Sequence, residues 1–371
     1  MILGLYSKII RKLHLTKRFK YLNILITYLS NLCSKKELTN DEVNSILNKY
    51  NPNINATTIC SNQLETNPVM DLQIIVPAYN VEKYINKCID SIIGQKTNYN
   101  IYIKIIIDGA TDNTPHLLEQ YRKYPNIEII SQENRGLPGA RNRGIEYIKA
   151  KYIMFVDSDD TLPEGTIDKL LNKAINTNAD IVEGSYNKLI DNKIECGNKV
   201  DINNKYPYGY IWGKIYKSEL FQQIQFPDKY WYEDTIGGYI IYPKAKNIQF
   251  ISDFVYNYRE NPNSITHISK GKIKNLDSLY IMEVCLKDRK TLGLPLNQQL
   301  YEMTLYQIYM NYIRTYNLGN IIRRSVYYKH SEIIKTVFAN FTTKECKFNN
   351  LELSLRNNDY NLYNYTLLFE I

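Results

Sequence analysis

The sequence predicts an α/β fold: a mostly parallel central sheet flanked by helices, followed by a helical C-terminal region and preceded by a short helical N-terminal extension. Three observations predict it. From Leu72 onward, short apolar runs alternate with segments of helical spacing, the pattern of right-handed strand-helix-strand units. Three of those runs end in polar or acidic turns, which places the turns together beyond the C-terminal strand ends, where such sheets bind ligands. After about Ser269 the spacing turns helical to the end, broken at Gly293-Leu294-Pro295 and at Leu318-Gly319.

The elements follow in order. Leu72-Gln73-Ile74-Ile75-Val76 is a strand ending at Pro77-Ala78-Tyr79-Asn80, and Val81 to Gln95 is a helix with Tyr84, Cys88, Ile89 and Ile92 on one face. Ile101 to Ile107 is a second strand, ending at Asp108-Gly109. A helix around Leu117 to Tyr124, a short strand from Ile127 to Ile130, a glycine-rich loop and a helix near Arg141 to Ala150 come next. Tyr152-Ile153-Met154-Phe155-Val156 is then a buried strand that delivers Asp157-Ser158-Asp159-Asp160. Carboxylates at i and i+2 on a turning backbone can converge on one hard cation such as Mg²⁺ or Mn²⁺. Between Leu300 and Tyr316, Tyr301, Tyr306, Tyr309, Tyr312 and Tyr316 recur at helical spacing, a pattern of helix packing. The expected division is 1–70 as extension and linker, 71–268 as the sheet domain and 269–371 as the helical region.

Composition narrows the classes. Of 371 residues 44% are hydrophobic and 23% charged, ordinary for a globular protein. The six cysteines form no C-x-x-C pair, so neither a zinc ribbon nor a disulfide framework is indicated, and a reducing cytoplasm is the natural setting. The net charge of +8 is localised: residues 1–36 hold eight bases and no acid, so the remaining 38 bases balance the 38 acids. A neutral body argues against nucleic acid as a partner. In the basic segment Ile2, Leu5, Tyr6, Ile9 and Leu13 share one helical face, with Lys8 and Arg11 away from it. Two readings of that helix stand: it lies on an anionic membrane surface, the inner face of the cytoplasmic membrane, or it docks on the folded body. No apolar run reaches the ~18 residues of a spanning helix, and the segment lacks the apolar core of a signal peptide.

Ile74 to Asn80, Ser91-Ile92-Ile93-Gly94-Gln95, Asp108 to Thr114, Asn134-Arg135-Gly136 with Ala140 to Gly144, and Phe155 to Asp160 together resemble family 2 glycosyltransferases of the GT-A fold, in order and in spacing. Trp212 to Lys217, Leu220-Phe221, Glu233-Asp234, and Tyr256 to Thr266 resemble the second half of the bacterial polysaccharide-assembly members. The resemblance covers about residues 72 to 268. It implies a nucleotide-sugar donor, a divalent cation (Mn²⁺ or Mg²⁺) and a glycan acceptor, free or lipid-linked. By the same resemblance, Pro77, Tyr79 and Asp108 cradle a uridine-like moiety, Arg141 lies near the donor phosphates, and Asp157 and Asp159 bind the metal with Asp160 adjoining and His267 as an extra ligand. Asp234, with Glu233 beside it, is then the general base of a single inverting displacement. Ile107 and Ala110 depart from the family's usual Asp and Ser, which bears on base preference. Trp212, Lys214, Trp231 and Tyr232 are candidates for the acceptor site, with aromatic core filling as the competing account. A processive enzyme is disfavoured because no Gln-x-x-Arg-Trp motif occurs, and a nucleotidyltransferase because the Gly-x-Gly-Thr-Arg signature does not. A silent nucleotide- or glycan-binding scaffold remains as the alternative reading; the intact acids Asp157, Asp159 and Asp234 oppose it.

Overall fold

The computed structural model describes residues 22, 25, 37–65, 68–191, 193–204, 206–261 and 269–371. The basic helix expected over residues 2–13 lies outside them, and so does His267. Two compact units emerge: residues 1–54, 269–280 and 295–371 form one, and residues 55–268 with 281–294 form the other.

Along the chain the elements are α1 (Asn40–Asn48), β1 (Gln63–Leu64), β2 (Met70–Ala78), α2 (Ile85–Ile93), β3 (Ile101–Asp108), α3 (Thr114–Leu118), β4 (Ile127–Gln132), α4 (Gly136–Ile145), β5 (Tyr147–Ile148) and β6 (Ala150–Phe155). There follow α5 (Thr166–Thr177), β7 (Ile181–Ile190), β8 (Lys193–Asn198), β9 (Lys214–Lys217), β10 (Ile248–Arg259), α6 (Asp277–Thr291), α7 (Gln298–Thr315), α8 (Asn320–Thr336), α9 (Asn349–Arg356) and α10 (Tyr360–Phe369).

The sheet runs β10-β7-β9-β6-β2-β3-β4, with β8 added antiparallel to β7. Every pair on the path is parallel except those made by β9, which runs antiparallel between β6 and β7. Because β2 lies between β3 and β6 and helices cover both faces, its Leu72, Ile74, Ile75, Val76 and Ala78 are all buried, and the strand reads as a continuous apolar run. Pro77 costs this central strand nothing. The Ile75 carbonyl accepts from Val156 N–H on the β6 side, and Pro77, two residues on, faces the same side beyond the last β6 pair, Ile75 with Phe155.

Local chemistry sets the helices. On α2, Cys88, Ile89 and Ile92 are buried as the spacing predicts, but Ile85 completes the face in place of Tyr84, which is the half-buried N-cap. Helix α4 begins at Gly136 and ends at Ile145, so the glycine-rich stretch expected as a loop is already helical. Pro138 is tolerated in that first turn because its missing N–H has no intrahelical acceptor to serve. Gly144 lets α4 press onto β2: a Cβ there would stand 2.3 Å from Ile75 Cγ2. The helix expected from Leu117 to Tyr124 starts earlier, at Thr114, and closes as a 3₁₀ turn over Glu119–Tyr121.

In the other unit α1 opens with a capping box between Thr39 and Glu42. The tyrosines of α7 divide as helical packing requires, with Tyr301 and Tyr312 buried and Tyr306 exposed. No helix among the described residues is long and apolar enough to cross a membrane.

Candidate active site

The parallel register of β3, β2 and β6 brings three strand ends side by side. At the end of β2, Pro77 is buried and Tyr79 is half exposed. Asn80 takes a left-handed conformation (φ 50°), and its Oδ1 accepts from Thr111 N–H at 2.8 Å, tying the β2 turn to the β3 turn. Asp108 is almost fully buried, and its Oδ1 accepts from Gln132 Nε2 at 2.7 Å and from Arg135 N–H at 2.8 Å. Among the described residues its Oδ2 has no donor, so one oxygen is fixed by protein and the other is open to a ligand. Gly109 follows because the turn needs φ 67° and because a Cβ there would meet Asn134 N at 2.7 Å.

Arg141, 2% exposed, is the centre of the site. Its Nη2 donates to Asp157 Oδ1 at 2.9 Å and its Nη1 to Glu233 Oε1. The guanidinium packs against Phe155 and Phe226, with its carbon 5.8 and 5.7 Å from the ring centroids. Two motifs far apart in sequence, the end of β6 and the Glu233-Asp234 pair, are therefore joined by one side chain from α4. Burial pushes the Glu233 carboxyl up to about 7, against the opposing pull of Arg141. The acids around it, Asp157, Glu233 and Asp234, raise the Arg141 pKa against the effect of burial.

The acidic cluster divides. Asp157 is partly exposed and faces Arg141, and its N–H donates to Tyr256 Oη at 3.0 Å. Asp159 accepts from Asn261 Nδ2 at 3.3 Å, and burial together with Asp157 raises its carboxyl above the usual range. Asp160 does not join them. Its Oδ1 accepts from Arg259 N–H at 2.7 Å and its side chain is buried, so the expected metal ligand is turned inward as a brace for β10. Burial, then Asp159 and Asp157, hold its carboxyl well above the ordinary carboxylate range. Among the described residues no group of three or more His, Cys, Asp or Glu side chains is arranged to hold a metal ion. Asp157 and Asp159 remain as a two-carboxylate pair, and a hard cation there would offset the unfavourable charge on Asp159.

Asp234 is partly exposed in the turn before a π-helical stretch, Gly237–Ile241, and its carbonyl accepts from Gly237 N–H at 2.8 Å. Its charge acts on Arg141, Glu233 and Lys214. Lys214 itself is not available to an acceptor phosphate. It is fully buried, 2.8 Å from Glu183 Oε1. Trp212 is buried as well, stacked on Tyr210, Tyr256 and Tyr258. Trp231 and Tyr232 are partly exposed and meet edge to face.

Residues 73–231 match the family described as glycosyl transferase family 2. Over these residues the chain is similar to family 2 glycosyltransferases. The chain is 33% identical over 218 residues to the uncharacterized glycosyltransferase EpsJ of Bacillus subtilis, an alignment covering 53% of this chain and 63% of that protein. It is 31% identical over 220 residues to glycosyltransferase GlyA of Streptococcus pneumoniae, covering 53% of this chain and 32% of GlyA. The chain thus spans 32% of GlyA and 63% of EpsJ, less than two thirds of either relative. Poly(ribitol-phosphate) beta-glucosyltransferase of Bacillus spizizenii is 32% identical over 203 residues, covering 51% of this chain and 32% of that enzyme. Among solved structures, S. aureus TarS 1-349 in complex with UDP-GlcNAc superposes with a TM-score of 0.63 at 20% identity, covering 81% of this chain and 90% of that one. That likeness fixes the fold as GT-A.

Several supports of the site carry no role in the sequence reading. Arg259 donates from Nε to the Asp159 carbonyl at 2.7 Å while its N–H holds Asp160, so one residue of β10 sets the acidic turn. Asn142 clamps the Phe226–Asp228 segment, accepting from Phe226 N–H at 2.7 Å and donating to the Phe226 carbonyl at 2.8 Å. Both residues sit inside motifs that signal the family, and that adjacency was the available clue.

Proposed function

We propose that this chain transfers one sugar from a UDP-sugar to a hydroxyl of a bacterial surface polymer, of cell-envelope polysaccharide or teichoic-acid type, inverting the anomeric carbon. The observation that supports the reading is the Arg141 bridge, which joins Glu233, the neighbour of Asp234, to Asp157 at the acidic end of β6. Tyr79 offers the uracil ring a flat face, and the open Oδ2 of Asp108 accepts a base N–H. Arg141 holds positive charge close to the donor phosphates. Asp234 takes the proton of the acceptor hydroxyl as that oxygen attacks the sugar, and one such displacement inverts the centre. Asp157 and Asp159 would hold a divalent cation, which would supply positive charge to offset that of the departing diphosphate. UDP as the carrier draws support from the TarS complexes with UDP-GlcNAc and UDP, and the acceptor class from the poly(ribitol-phosphate) beta-glucosyltransferase relative.

The test is nucleotide release from a panel of UDP-, GDP- and dTDP-sugars, with Mn²⁺, Mg²⁺ or EDTA. One UDP-sugar hydrolysed only with metal is the expected result. No turnover and no UDP binding with either ion would overturn the reading in favour of a scaffold.

A further inference from the structure

The chain enters Glu233-Asp234 through residues 225–232, a stretch outside every helix and strand. Two of these residues, Lys229 (φ 73°) and Tyr232 (φ 65°), take the left-handed conformation that a side chain with a Cβ disfavours, and such backbone persists only where its surroundings impose it. Helix α4 grips the stretch near both ends. At the far end Arg141 reaches Glu233, and at the near end its guanidinium packs on the Phe226 ring. Besides its two bonds to the Phe226 backbone, Asn142 donates from Nδ2 to Asp228 Oδ1 at 3.1 Å, and Arg135, the N-cap of α4, donates from Nη2 to Asp228 Oδ2.

Both oxygens of Asp228 thus receive a donor from α4, which fixes the direction of its side chain and the backbone that bears it. The Arg135–Asp228 pair is 52% and 29% exposed, and ion pairs so open to water add little stability. Placement is the better account of it, because the same helix holds Glu233, the neighbour of Asp234, through Arg141. Arg135 also meets the donor side of the site, yet it holds Asp108 by its backbone N–H, a contact that does not depend on its side chain.

We propose that Asp228 is a positioning residue for the general base: held by Asn142 and Arg135, it sets the course of residues 229–233 so that Asp234 meets the attacking hydroxyl. This rests on the transferase reading above. A small displacement of a base from its line to the reacting oxygen slows the chemical step without weakening the hold on the donor.

The experiment follows turnover of the UDP-sugar that the donor panel selects, in the full chain and with water as the acceptor. Asp228→Ala is expected to lower kcat by about tenfold or more while donor KM and UDP affinity stay within about twofold of wild type. Because Asp228 acts through Asp234, adding Asp228→Ala to Asp234→Asn should cost less than about a further twofold, whereas a general structural loss would multiply. Asp228→Asn, which keeps an oxygen for Asn142 Nδ2, should recover part of kcat. The chain has two tryptophans, so 5-fluorotryptophan labelling gives two ¹⁹F signals, assigned with Trp231→Phe. Asp228→Ala should move the Trp231 signal and leave that of Trp212 in place, which also shows that the variant is folded. An unchanged kcat in Asp228→Ala, a multiplied loss in the double variant, no recovery in Asp228→Asn, or a Trp231 signal that stays in place overturns the positioning role and leaves the transferase standing. A shift of both signals overturns it in favour of a support of the fold at large, and weakened UDP binding in favour of a place in the donor site. Wild-type protein that neither binds UDP nor turns over any donor overturns both readings.

Discussion

The two units bury polar groups in different ways. In the sheet unit, both members of the pairs Arg141–Glu233 and Lys214–Glu183 are nearly sealed, with side-chain exposures of 2% and 7%, and of 0% and 4%. In the helical unit the described ion pairs keep a partner nearer water: Lys274 against Asp277 is 37% exposed, and Arg356 against Glu352 is 26%. Its deepest polar cluster, Asn311, Ser278 and His330 buried among Tyr312, Tyr327 and Tyr363, carries charge only at its edge, where Arg314 donates to Ser278 Oγ. Sealing both charges of a pair seldom adds stability over an apolar pair of the same size. The contrast teaches that the sheet unit's sealed charges are kept for what they position, Asp157 with Glu233 in one case and the Tyr208–Tyr210 backbone in the other.

The largest effect should follow from the acid beside that first pair. Asp234→Asn keeps size and removes the base, so transfer should fall by about 10² to 10⁴-fold. UDP binding with metal should stay close to wild type. Isothermal titration beside a transfer assay separates the two, and weakened UDP binding would mean that Asp234 belongs to the donor site.

This pairing also marks the limit of what could be read from sequence. The strand-end turns at Asn80, Asp108 and Asp157 were legible because each ends an apolar run, and parallel topology alone puts such ends together. The division of labour within Asp157 to Asp160 was not: all four residues follow the same strand, and only the arrival of Arg259 from β10, about a hundred residues later, turns Asp160 inward. Likewise Glu233 and Arg141 each fit a motif, yet their contact depends on the course of the chain through β9. Helix α4 was read late because glycine and proline signal a turn by propensity, while here Gly144 and Pro138 serve close packing and a first helical turn. Lys214 stands as a candidate acceptor contact in the sequence because nothing local announces Glu183, which joins it across the β7–β9 pairing.

The second pair gives the next effect. Glu183→Gln leaves the Lys214 ammonium sealed without a counter-charge, and the expected loss of stability is about 3–5 kcal/mol. Glu183→Leu combined with Lys214→Met removes both charges and should recover most of it. If the pair serves position, the double variant should nevertheless transfer sugar less efficiently than wild type, since the Tyr208 and Tyr210 carbonyls lose their main donor. Urea unfolding followed by transfer kinetics decides this, and a double variant both stable and fully active would erase the distinction drawn between the units.

The smallest effect tests the His330 cluster. Asn311 Oδ1 accepts from Ser278 at 2.5 Å and from Gln307 at 3.0 Å, which orients the amide so that its NH₂ donates to His330 Nε2 at 3.1 Å. The ring proton then lies on Nδ1, facing Tyr363 Oη at 3.2 Å, and no acceptor is left for a second. Burial accordingly lowers the His330 pKa to about 3. Above pH 6.5 folded and unfolded chains both hold a neutral ring, and the contribution to stability is complete. As the pH falls toward 3 the unfolded chain takes up a proton that the folded chain refuses, so stability drops by up to about 1.4 kcal/mol per pH unit. His330→Gln keeps an amide in the cluster and removes the titration. Unfolding curves at pH 7.5 and 5.5 should therefore separate wild type from variant by a shallower pH dependence in the variant. Equal slopes would show that the ring is protonated without penalty, and the helical unit would then bury charge as the sheet unit does.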